Sequence, residues 1–227
     1  MSKPGRIAIV LGLFAVAVAL VVTGAFAYVG TEPPTVSYLT SQAPGQPVRL
    51  FFQTDGAVGT GVHPTWVSYR TQTPKSHQWV HTTVVQLPMH TRIDVTLYQF
   101  DSGSALRNQQ FGRVTGTLGT RATLDGRSFQ VIDSNTTTLG HTFSVPSLGI
   151  NVPLKGVDTS KPHFCTAGPC DPATQLHHTI TFSFMTPDHP GNWRFQCFIP
   201  CGAGYYAGNG GPMQTLGYMG GFLEVRA

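Results

Sequence analysis

From Ile7 to Gly30 the chain carries no charged residue, and Ile7–Val22 is almost entirely Ile, Val, Leu, Ala and Phe. At 1.5 Å per residue, about 20 such residues span a hydrocarbon layer of roughly 30 Å. Residues 1–30 are therefore predicted to form one membrane-spanning helix. Lys3 and Arg6 precede the apolar run and Glu32 is the first charge after it, an asymmetry that places everything past residue 30 on the outer side. Ala25-Phe26-Ala27 has the small-x-small form of a cleavage site, so a signal segment is the competing reading. Both readings export the rest of the chain.

Beyond residue 47 the pattern changes to short alternating or apolar runs bounded by Gly, Pro, Asn or Asp. These are Val48–Gln53, Trp66–Tyr69, Trp79–Leu87, Arg92–Phe100, Ser128–Ile132, Thr142–Val145, His178–Met185, Asn192–Cys197 and Phe222–Val225. In Arg92–Phe100, Ile93, Val95 and Leu97 share one face and Asp94, Thr96 and Tyr98 the other. β-branched and aromatic residues dominate the runs, and no window past residue 31 holds a helical period. An all-β sandwich follows. The expected organisation is an anchor or signal segment over 1–30, a linker with extra strands over 31–78, and the main sandwich over 79–227. Within the sandwich, the polar, weakly patterned stretch of about 101–138 reads as an excursion between strands.

Composition narrows the function. The chain has 227 residues with 26 Gly and 17 Pro, which suits many turns, and only 11% of its residues are charged. A formal net charge of +4 with no run of adjacent Lys or Arg leaves no footprint for nucleic acid. There is no nucleophile elbow, no His-Glu-x-x-His helix and no pairing of carboxylates, so nothing in the sequence supports an independent hydrolase. Any catalysis would belong to a complex in which this chain is one subunit.

The four Cys fall in two close pairs. Cys165 and Cys170 close a small Pro/Gly-rich loop, and outside the membrane such a pair reads as a disulfide. Cys197 and Cys201 lie at the end of a short run beginning near Asn192, followed by a Gly-rich loop and the closing run at Phe222. A thiol at a strand end, with an imidazole supplied by a distant strand, suits copper, because soft thiolates select it and a sandwich holds both groups rigidly.

Two segments carry a resemblance to a known family. His141-Thr-Phe-Ser-Val-Pro-Ser-Leu-Gly149 resembles the first copper-ligand motif of cytochrome c oxidase subunit II, and Cys197-x-x-x-Cys201-Gly202 is similar to that family's paired-thiolate motif. The likeness covers about Trp79–Val225. It implies a cupredoxin-like Greek-key sandwich outside the membrane that takes electrons from cytochrome c or another donor and passes them to a catalytic haem-copper subunit. It further implies copper held by His141, bridging thiolates Cys197 and Cys201, the backbone carbonyl of Ile199, and a Met for which Met219 and Met213 are the candidates. The family has a second His four residues after the second Cys. Here that position is Tyr205, and no His occurs after His189. His189 and His163 are the remaining candidates for the missing imidazole. A copper-free subunit of the same kind, with Cys197 and Cys201 paired as a disulfide, and a free-standing copper protein are the alternatives.

Overall fold

The computed structural model describes residues 3–29, 34–43, 45–61, 63–106, 108–133, 135–202 and 210–227. It contains two compact units, Met1–Pro33 and Pro34–Ala227. The first is helix α1, Lys3–Val29. Its segment Pro4–Ala25 is long and apolar enough to cross a membrane, a description that a membrane anchor and a signal sequence both satisfy.

The second unit is an all-β sandwich. Its strands are β1 (Thr35–Ser37), β2 (Val48–Asp55), β3 (Ser68–Gln72), β4 (Trp79–Val80), β5 (Val84–Pro88), β6 (Arg92–Gln99), β7 (Ala122–Leu124), β8 (Arg127–Phe129), β9 (Leu139–Val145), β10 (Ile150–Lys155), β11 (His178–Met185), β12 (Gly191–Gln196) and β13 (Gly220–Arg226). One sheet has the order β1-β5-β13-β12-β9-β10 and the other β4-β3-β2-β6-β11-β7-β8. The alternation read in Arg92–Phe100 is present in β6, where Ile93, Val95 and Leu97 are buried. All eight residues of β6 pair with β11, and its other side runs parallel to β2.

β1 and β2 lie within the span first read as linker and extra strands, and both are built into the sheets. The core between the layers is aromatic. Phe52 and Tyr69 of one sheet meet Phe143 and Phe195 of the other, with ring centroids 5.3 Å apart for Phe52–Phe143 and 5.7 Å for Tyr69–Phe195. Such tilted and edge contacts between large buried rings dominate the packing of the layers.

Candidate metal centre

His141 is on β9 in register with the core residues Leu139, Phe143 and Val145, so strand alternation turns its ring inward. The ring is 1% exposed. Cys197 follows the last residue of β12, and its amide donates to the Met219 carbonyl oxygen at 2.9 Å, extending the β12–β13 ladder by one step. Neighbouring strands therefore deliver the two groups to one end of the sandwich: Gln196 of β12 pairs with Ser144 of β9. His141 Nδ1 lies 3.6 Å from Cys197 Sγ. Ligand atoms of His141, Cys197 and Cys201 all fall within 4.8 Å of one another, and all three residues are buried.

The Cys197 sulfur is surrounded by donors. The amides of Ile199 and Thr142 point at it from 3.3 and 3.5 Å, and Phe198 N–H is held aside by Thr142 Oγ1 at 3.0 Å. Burial opposes the thiolate, but hydrogen bonds from Cys201, His141 and Thr142 outweigh it and hold Cys197 well below the usual thiol range. Cys201 is pushed the opposite way, above all because its own proton is engaged by Cys197. Both cysteines are free thiols.

The other ring nitrogen of His141, Nε2, lies 3.0 Å from Asp101 Oδ2. Burial alone would lower the imidazole's pKa; the hydrogen bonds to Asp101 and Cys197 overcome it and raise it to about 9. Burial works against the Asp101 carboxylate as well, yet its contact with His141 holds it below its ordinary value. Nothing in the local sequence marks Asp101 as a site residue. Its position at the end of a well-patterned strand is the only signal, since that strand end coincides with the end of the sandwich that carries His141.

The other predicted donors separate. The Ile199 carbonyl oxygen lies 3.5 Å from Cys197 Sγ, so it belongs to the cluster. Met219 is fully buried and packs in the same core as Cys197 and Cys201. Met213 is half-buried and lines a separate cleft of about 310 Å³ that Cys197 also borders. His189 does not join the cluster: it bonds Asp188 at 2.9 Å and precedes β12, a full strand length from Cys197. His163 is likewise outside the group, and Tyr205 lies outside the described residues. Among the described residues no second imidazole joins the three donors.

Cys165 and Cys170 are joined by a disulfide, as the sequence predicts. Gln53 grips this loop from β2, donating to the Cys170 carbonyl oxygen at 3.3 Å and accepting from its amide at 2.7 Å. Two thiol sulfurs and an imidazole match the donor preferences of copper and of other soft metals. With a carboxylate behind the imidazole, the ring's orientation is set before any metal arrives.

No protein-family model matches the chain, and no curated protein matches it. Among solved structures, rusticyanin from Thiobacillus ferrooxidans, a cupredoxin, is similar over 85% of this chain and 82% of its own, with 14% identity and a TM-score of 0.34. A reduced form of rusticyanin overlaps 85% of this chain and 84% of its own, with 15% identity and a TM-score of 0.30. A further structure, described as that of the copper protein rusticyanin, overlaps 85% and 82% with the same identity, 15%, and a TM-score of 0.30. Overlaps this loose carry no assignment.

Proposed function

We propose that this chain is a copper-binding electron relay, tethered to the outer face of a membrane and serving as a subunit II-like component of a haem-copper respiratory oxidase. The observation that carries the reading is the convergence of His141, Cys197 and Cys201 at one buried point. His141 lies more than fifty positions from the two cysteines in the sequence, and outside the membrane a pair of reduced thiols without such a role would be expected to oxidise.

In this reading His141, Cys197 and Cys201 hold the metal, with the Ile199 carbonyl and one of Met213 or Met219 as supplementary donors. Copper, when bound, supplies a one-electron couple. The protein supplies rigidity: the Asp101 hydrogen bond fixes the imidazole, and the amides of Thr142 and Ile199 fix the Cys197 sulfur. A cage held from both sides changes little between oxidation states, which favours fast transfer. The proposed partners are a catalytic haem-copper subunit and cytochrome c or another donor on the same side of the membrane.

Reconstitution with copper tests this directly. Bound copper with a thiolate-to-copper absorption band is expected, and Cys197→Ser is expected to abolish the band. Absence of copper after reconstitution would retire the relay and favour a copper-free structural subunit. Copy-for-copy purification with haem proteins from native membranes distinguishes an oxidase subunit from a free-standing copper protein, which should carry none.

A further inference from the structure

The buried donor cluster has a cavity on one side. A cavity of about 540 Å³ reaches His141 and Cys201 directly. Trp66, Leu139, Ile199 and Pro212 form apolar parts of its wall. Asp101, Thr65, Ser102 and Ser104 supply polar groups, and among the described residues neither Lys nor Arg lines it. Neither candidate methionine belongs to this wall, since Met219 is sealed in the core and Met213 lines the other cleft. Two of the three side-chain donors, His141 and Cys201, therefore border a void, whereas a structural metal site of four donors is closed by protein on every side.

We propose that this cavity is a ligand port: a small neutral nitrogen donor of the imidazole class enters it and completes the donor set of His141, Cys197 and Cys201. The proposal rests on the copper reading above. The lining selects the ligand's chemistry. The Asp101 carboxylate and the sulfur of Cys201 in the lining disfavour a small anion. The indole of Trp66, on which the His63 ring stacks, gives the cavity an apolar wall, and the hydroxyls of Ser102 and Ser104 can accept the N–H of an entering ring. A ring nitrogen would also add a second imidazole to a cluster that holds one, His141, among the described residues.

The test uses the copper-loaded full chain in detergent, titrated with imidazole and, in parallel, with sodium azide. Imidazole is expected to shift the thiolate-to-copper band and the electron paramagnetic resonance spectrum saturably, and azide is expected to leave both unchanged. Ser104 and Thr65 are exposed at the rim, so Ser104→Phe and Thr65→Trp fill the port while keeping every donor. Each filled variant is expected to bind copper and to need about tenfold more imidazole, or worse, for the same shift. Copper-loaded protein silent to imidazole, equal responses to imidazole and azide, or undiminished responses in both filled variants would each overturn the port while leaving the relay standing. Failure to load copper at all would overturn both.

Discussion

At the scale of single residues, the site is governed by groups that touch His141 and Cys197 as much as by those residues themselves. Asp101 is the clearest case. It reaches the far nitrogen of His141, so it is a positioning residue, and Asp101→Asn is expected to weaken copper binding by about 10–100-fold with the fold intact. Competition against a chelator of known affinity measures the loss, and circular dichroism checks the fold. A second prediction concerns His81, whose ring sits edge-on to Tyr218 and whose Nε2 is buried without a hydrogen-bond partner among the described residues. Burial, aided by Arg70, lowers its pKa to about 4, below the ordinary 6.5. Between those values the unfolded chain takes up a proton that the fold refuses, so stability falls as pH drops from 6.5 to 4, by up to about 1.4 kcal/mol per pH unit. Asp55 works in the opposite sense. Burial raises it to about 6 against the pull of its ion pair with Arg70, and its protonation stabilises the fold as pH falls through that value. Urea midpoints at pH 7 and pH 5 are expected to fall less in His81→Gln than in the native chain.

At the scale of elements, the stretch over 101–138 is part of the site. It begins with Asp101, lines the port with Ser102 and Ser104, and sends Phe111 back to stack on Phe198, with ring centroids 5.6 Å apart and an interplanar angle of 11°. Asn151 of β10 ties it down by donating to the Phe111 and Arg113 carbonyl oxygens. The close approach of this segment to β9 requires a residue without a side chain at position 140. A Cβ there would sit 2.6 Å from the Ser102 carbonyl oxygen and press on the Gln99 amide. Gly140→Ala is therefore expected to destabilise the fold by about 1–3 kcal/mol and to weaken copper binding through Asp101, read by urea denaturation and the same chelator competition.

These elements also show what the sequence could and could not convey. Strands with one buried and one open face, such as β6, announce themselves by alternation. β9 is buried along its whole length and shows no alternation, so its sequence marks only Thr142–Val145 and leaves His141 just outside the run. β10 carries no strand signal because Pro153 interrupts its pattern; it is an edge strand, where a residue without an amide proton is tolerated. β1 and β7 are three residues each, too short for any period. The His and Cys motifs were legible because two thiols and an imidazole are rare together. Asp101 was not, because its partner is forty positions away and one aspartate in a polar stretch carries no pattern.

At the scale of the whole molecule, the helix and the sandwich are separate compact units. A chain beginning at Pro34 is therefore expected to fold as a monodisperse β-protein in aqueous buffer, while the chain with residues 1–33 partitions with membranes or detergent. Sedimentation with liposomes and far-ultraviolet circular dichroism check both halves of that expectation. Inside the sandwich, the donors and their support come from different layers: His141 is on β9 and Cys197 directly follows β12 of one sheet, while Asp101 follows β6 of the other. The centre thus bridges the seam where the layers meet, and a bound ion would act as a rivet across it. Amide protons of Thr142 and Cys197 would then exchange with heavy water only as fast as the two leaves separate, and loading with copper would slow both together.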